Sequence, residues 1–319
     1  MMRIDPLSID TPLPLTAPAY PLGFRLEIAT NSPHVLEAAA ESWGHFAPDA
    51  HESDAPPLHF RVLVQPEGAL CQSTTHHAQG HLYAVVGDAH NFALLDLRAL
   101  AASMFISERT AADHSWLRWF FVESLAYTLL AQRHVVPVHA ACIARDRAGI
   151  LLCGSACAGK TTLAYASARA GWTYVTDDCV FLLADSPGSA AIGRCLHIRF
   201  RPDAPEIFPE LAGSLARVRP NGRLSLELPM SAFPGIRTAD RAHLRAMVFL
   251  ERQDGSPGLE PIGAGQAAER LLAEMPSYGP EVNAMHERTV RRLAEASAFK
   301  LRYRTVAEAL RLLDGLPIR

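Results

Sequence analysis

The chain has 319 residues, 49% of them hydrophobic and 20% charged, with a formal net charge of −3. That length carries one large core or, better, two smaller ones, and the apolar fraction excludes a disordered chain. The near-neutral balance speaks against a general nucleic-acid binder, which would show a basic excess or stripe. No stretch offers the roughly 20 apolar residues that a membrane-spanning helix needs. The opening MMRIDPLSID lacks an apolar signal core, so a cytoplasmic protein without a membrane partner is expected.

In chain order, Phe24 to Ile28 and Leu58 to Val64 alternate apolar and polar residues, the period of half-buried strands. Between them, Ser32-Pro33 opens a helix running to about Trp43, with proline at its first position. Strands are expected at 81–86 and 91–97, split by a turn at Gly87-Asp88. This region is read as an α+β accessory or substrate-docking domain, residues 1–113, with a junction at 110–114. From Trp116 the pattern becomes α/β, with a buried helix to Gln132 and strands at 135–139 and 148–153. A helix follows from Lys160 to Ala170, closed by Gly171, and then strands at 172–175, 195–200, 246–250 and 299–303. A last helix spans 306–313, and the segments 253–265 and 276–280 read as loops. Residues 114–319 are the expected catalytic domain.

Six cysteines contain no C-x-x-C pair and read as small buried hydrophobes. His76, His77 and His81 lie in a stretch that reads as a loop, and a metal site there is not expected. Of the 30 basic residues only two are lysines, Lys160 and Lys300.

One of those lysines closes a phosphate-loop pattern. Gly154-Ser155-Ala156-Cys157-Ala158-Gly159-Lys160-Thr161 fits G-x-x-x-x-G-K-[ST], with Thr162 next in line. The glycines let successive N–H groups curl around phosphate oxygens, and the following helix presents its positive end to the same anion. Lysine then reaches the outer phosphates and the threonine hydroxyl coordinates magnesium. The plain alternative is a glycine-rich turn with a surface lysine, yet this chain uses arginine nearly everywhere a surface cation would serve. Cys157 reads as a small side chain at a variable loop position rather than a redox gate.

Asp177-Asp178 end the strand after this helix. In a parallel sheet that end faces the phosphate loop, so one carboxylate can hold magnesium while the other takes a proton from an attacking hydroxyl. His139 ends the strand before a hairpin turn at 145–149, where it is either structural or a donor to phosphate oxygens.

The run from Val136 to Leu183, VPVHAACIARDRAGILLCGSACAGKTTLAYASARAGWTYVTDDCVFLL, resembles the catalytic core of HPr kinase/phosphorylase and its relatives. The resemblance implies an α/β, P-loop-containing HPr-kinase-like catalytic domain that uses ATP and Mg2+. It implies that Lys160 and Thr161 bind phosphate and metal and that Asp177 is the base for a seryl-type hydroxyl. Asp178 would support the metal or orient Asp177, and His139 would contact the phosphates. The family's Glu-Ile-Arg-Gly signature has its nearest counterpart in His197-Ile198-Arg199-Phe200, so the glutamate is replaced and the arginine kept. Arg219-Pro220-Asn221-Gly222-Arg223 is similar to a later family segment but stands too early in the chain to be equated with it. These departures leave the reverse phosphorylase reaction, and HPr as acceptor, without support.

The reading is therefore a kinase acting on a hydroxyl of a protein, a peptide or a small molecule. A homo-oligomer is compatible with the resemblance. Two alternatives stand beside it. One is an ATPase or GTPase switch in which Glu251, ending the strand 246–251, polarises water; the other is a nucleotide-sensing module without turnover.

Overall fold

The computed structural model describes residues 12–48, 56–184, 189–253 and 255–317. The opening decapeptide lies outside them. No helix among the described residues is long and apolar enough to cross a membrane.

The chain forms two compact units that divide after Gln132. The first holds β1 (Leu15–Ala19), β2 (Leu26–Thr30), α1 (Pro33–Trp43), β3 (Leu58–Gln65), β4 (Thr75–Gln79), β5 (Leu82–Val86), β6 (Phe92–Asp96) and β7 (Ala101–Ser107). Its described strands form one sheet in the order β1-β2-β3-β7-β6-β5-β4. Alternation works as expected: β3 buries Leu58, Phe60, Val62 and Val64 and turns the residues between them outward. Pro33 occupies the first turn of α1, and that helix buries Val35, Ala38, Ala39 and Trp43.

The expected junction at 113/114 is displaced. The segment 110–114 runs from α2 (Glu108–Ala112) into α3 (His114–Leu117) with Asp113 between them, and the Ser107 and Asp113 side chains cap the two helices. The helical path then continues through a π-type turn at Arg118–Val122 into α4 (Glu123–Ala131). It belongs to the first unit because α1 holds it: Trp43 Nε1 donates to Tyr127, and Ser42 to Glu123. His76 and His77 lie on strand β4, not in a loop, and His76 is hydrogen-bonded to the Tyr83 hydroxyl.

The second unit is a three-layer α/β arrangement. It opens with β8 (Val135–Val138), β9 (Ala141–Arg145), β10 (Ala148–Cys153), α5 (Lys160–Arg169), β11 (Thr173–Thr176), β12 (Val180–Leu183), β13 (Ala190–Ile192) and β14 (His197–Phe200). It continues with β15 (Arg217–Val218), β16 (Leu224–Pro229), β17 (Arg237–Thr238), β18 (Arg241–Arg252), β19 (Gly258–Ile262), α6 (Ala264–Leu272), α7 (Pro280–Ala294), β20 (Ser297–Tyr303) and α8 (Val306–Asp314). The main sheet runs β17-β11-β9-β10-β18-β13-β12-β8, with β20 on β18 and β19 on β20. A separate small sheet has the order β14-β16-β15.

Neighbouring residues of β9, β10 and β18 face opposite layers, as strand geometry requires. Ile143, Ile150, Leu152 and Val248 pack with α5 and α8, whereas Cys142, Leu151, Cys153 and Met247 pack with α6 and α7. The sheet is mixed rather than parallel. A hairpin turn with positive φ at Asp146 and Arg147 returns β9 antiparallel against β10, and β11 pairs on the far side of β9. Two antiparallel steps restore the direction, so β10 and β11 still end at the same edge. The segment expected to be a loop at 253–265 contains β19 and the start of α6, because β19 pairs along the full-length strand β20.

Candidate active site

The glycine-rich run lies between β10 and α5, at the end of the central strand pair β10–β18. Its glycines are there for geometric reasons. Gly154 and Gly159 have φ of 153° and 96°, and a Cβ at Gly154 would come within 2.8 Å of Ala158 Cβ. A Cβ at Gly159 would run into the Tyr303 hydroxyl, which donates to the Ala158 carbonyl at 2.7 Å. Strand β20 thus holds the loop from outside. Ser155, Ala156 and Cys157 are exposed at the loop's crown, Cys157 with φ of 68° and its sulfur 3.0 Å from an Arg201 nitrogen. It is not one of the buried cysteines, unlike Cys71, Cys142, Cys153 and Cys195.

Lys160 begins α5 and folds its ammonium back over the loop, donating to the carbonyls of Gly154 at 2.5 Å and Ser155 at 3.1 Å. Burial lowers its pKa, while Glu274 and Asp178 pull in the opposite direction. Thr161 and Thr162 follow on the first turn of α5, where backbone N–H groups have no partner inside the helix. At its other end α5 stops in a Schellman-type cap: Trp172 N–H donates to Ser167 O and Gly171 N–H to Ala168 O, with Gly171 at φ 96°. That cap turns the chain directly into β11 and carries Asp177 back to the loop.

Asp177 is 4% exposed. Its Oδ2 accepts from the Thr161 hydroxyl at 3.1 Å and from the Arg199 backbone N–H at 3.2 Å. Its Oδ1 accepts from the Tyr174 hydroxyl at 2.9 Å, and the hydroxyl oxygen is also 2.9 Å from the His197 carbonyl oxygen, so the two acceptors share its single proton. Burial, and then the neighbouring Asp178 charge, raise the Asp177 pKa. Tyr174 is pushed well above its ordinary value by burial and by Asp177, so it remains a donor.

Asp178 is half exposed and faces the opening. Its backbone carbonyl accepts from His139 Nδ1 at 2.9 Å, which fixes the proton on that nitrogen; the carboxylate lies 3.4 Å from the same atom. Arg199 reaches both acids of its neighbourhood, with Nη1 4.0 Å from Asp178 and Nη2 3.1 Å from Glu227. Arg199 and Glu227 are opposite each other in the β14–β16 register. Burial acts to raise the Glu227 pKa, but Arg199 and Arg219 outweigh it and the net direction is down. Arg219 itself is lowered, by burial first and by Arg199 next.

The expected site residues thus converge: Lys160, Thr161, Asp177, Asp178 and His139 stand at one edge of one sheet. Glu251 is the penultimate residue of β18, and its carboxylate is engaged by Arg270 of α6 at 3.3 Å. Four further residues were not evident from the sequence. Tyr174 and Tyr303 look like core aromatics there, Glu227 stands in a strand with no motif, and Glu274 stands beyond a helix. Only the alternation of β16, which puts Glu227 on the face of Arg199, carried a signal, and it needed the pairing partner to be read.

No protein-family model matches the chain, and no curated protein matches it. Among solved structures it is similar to the Hpr(Ser) kinase/phosphatase from Coxiella burnetii, at 14% identity. The likeness covers 55% of this chain and 92% of that one, with a TM-score of 0.28.

Proposed function

We propose that the protein is an ATP- and magnesium-dependent kinase that transfers the γ-phosphoryl group to a hydroxyl of a protein, a peptide or a small molecule. The observation that carries this reading is the contact between Thr161 and Asp177. It joins the helix that follows a phosphate-loop sequence to a buried carboxylate of raised pKa. A base is better matched to a weakly acidic hydroxyl when its own pKa is raised, and Asp177 has that property.

The donor set suits magnesium. The Thr161 hydroxyl and the carboxylates of Asp177 and Asp178 are hard oxygen ligands within one small region, and magnesium prefers such donors to nitrogen or sulfur. Thr161 and Asp178 would hold the ion, which when bound neutralises charge on the phosphoryl oxygens. The residues Gly154 to Thr162 would cradle the phosphates through their N–H groups, with Lys160 leaving the loop carbonyls for phosphate oxygens. Asp177 would accept the proton of the incoming hydroxyl, with Tyr174 and the Arg199 N–H fixing the carboxylate's orientation. Arg199 would add positive charge around the transferred group, and His139 would contact the phosphates. Such a reaction depends on positioning and on charge neutralisation more than on covalent chemistry.

A nucleotide-hydrolysing switch is the second reading, with Glu251 polarising water. The Arg270 contact counts against it, because a carboxylate engaged by a guanidinium is less free to orient a water. Transfer of label from γ-labelled ATP to an acceptor, lost in Asp177→Asn while nucleotide binding is kept, tests the kinase reading.

A further inference from the structure

A second cluster of ligating side chains stands in the N-terminal unit. His34 and Glu37 lie one turn apart on α1, and His114 is the first residue of α3. His34 Nδ1 is 3.3 Å from His114 Nε2, and the Glu37 carboxylate is 3.6 Å from the first nitrogen and 3.7 Å from the second. Three ligand atoms around a tetrahedral ion with metal–nitrogen bonds of about 2.0–2.1 Å are separated by about 3.3–3.4 Å. The triangle therefore needs adjustments of a few tenths of an ångström at most.

The surroundings match the chemistry of such a centre. His114 Nδ1 is 2.7 Å from Glu41 Oε1, so its proton sits on Nδ1 and the lone pair of Nε2 points into the triangle. His34 Nε2 faces Glu108 at 4.0 Å, which leaves its Nδ1 as the inward atom. Each imidazole thus has a carboxylate behind it, the arrangement that orients histidine ligands and raises their basicity. Three carboxylates, of Glu37, Glu41 and Glu108, surround the two rings, against the single guanidinium of Arg118 on Glu41.

We propose that His34, Glu37 and His114 form a metal site that clamps α1 to α3. Two imidazoles and one carboxylate select a zinc-class transition ion over magnesium or calcium. Side-chain exposures of 35% for His34 and 58% for Glu37 leave the remaining coordination position open to water.

The test uses the full chain, stripped with a chelator and titrated with zinc chloride by calorimetry, and with cobalt(II) by visible absorption. One equivalent of zinc and a tetrahedral cobalt spectrum are expected for the unsubstituted protein. Both should weaken at least about 100-fold in His34→Ala and His114→Ala, and about 10–100-fold in Glu41→Gln. Glu37→Gln, on an exposed side chain with little influence on folding, should weaken binding too. Asp178→Asn should leave this equivalent untouched. Zinc bound equally well by His34→Ala and Glu37→Gln, zinc lost only with Asp178→Asn, or no zinc bound at all would overturn the proposal.

Discussion

The Thr161 hydroxyl donates to Asp177 Oδ2 across 3.1 Å, tying the first turn of α5 to the end of β11. The consequence is that substitution at either residue disturbs both the nucleotide end and the acid end of the site. Thr161→Ala is expected to lower kcat/KM for phosphoryl transfer by more than about 100-fold, through loss of a metal-supporting oxygen. Thr161→Ser keeps the hydroxyl and should retain most activity. Steady-state kinetics over a magnesium series checks the pair, and the alanine variant should also need more magnesium for half-maximal rate.

If the protein is a kinase with Asp177 as its base, Asp177 should set the acidic limb of the rate profile. Its pKa is raised by burial and by Asp178, so activity should rise with pH through a transition above the ordinary aspartate range, about 3.9. The stability effect has the opposite sense. A carboxylate whose folded pKa exceeds its unfolded value stabilises the fold below the unfolded pKa, and that contribution is lost as pH rises through the folded pKa. Asp177→Asn should abolish transfer and remove this pH-dependent contribution, so that the variant's stability falls less than the native protein's as pH rises. Denaturant unfolding at several pH values, set beside the pH–rate profile, checks both signs.

Arg199 is shared between Asp178 and Glu227. Glu227→Gln should weaken the hold on the guanidinium and let Arg199 move towards Asp178, lowering kcat by about tenfold and stability by about 1–2 kcal/mol. Because the Glu227 pKa is lowered in the fold, its stabilising contribution is present above the unfolded pKa. It is lost as pH falls through the folded value. The stability difference between the native protein and Glu227→Gln should thus shrink on acidification, which unfolding titrations at several pH values would register.

Tyr303 and Gly159 are mutually dependent. Gly159→Ala places a Cβ against the Tyr303 hydroxyl at a backbone φ of 96°, and should cost about 1–3 kcal/mol as well as nucleotide affinity. Removing the hydroxyl in Gly159→Ala/Tyr303→Phe should recover only the steric part, because the left-handed backbone remains unfavourable for alanine. Thermal unfolding of the two variants and the Tyr303→Phe control separates the terms.

Much of this arrangement is legible in the sequence, and for identifiable reasons. Alternation in β3, the proline at the start of α1 and the glycine after α5 are local signals, and each names its element almost to the residue. The loop 154–161 is legible because its chemistry constrains neighbouring residues. What escaped depends on pairing. Strand β19 becomes a strand only because β20 receives it, and the turn expected at 145–149 yields a mixed sheet because β9 forms between β10 and β11. The boundary after Gln132 was hidden because α3 and α4 carry the helical period of either domain; their contacts with α1 decide. Tyr174, Tyr303 and Glu227 reach the site through tertiary contacts with residues 3 to 145 positions away, and no spacing rule finds them.

The most direct test follows the γ-phosphoryl group itself. Purified protein, γ-labelled ATP, magnesium and an extract of the source organism should yield a labelled protein, peptide or metabolite. That label should disappear with Asp177→Asn and with Lys160→Ala, while Asp177→Asn still binds ATP. Label recovered only as free phosphate, unaffected by Asp177→Asn and lost in Glu251→Gln, would contradict the kinase account.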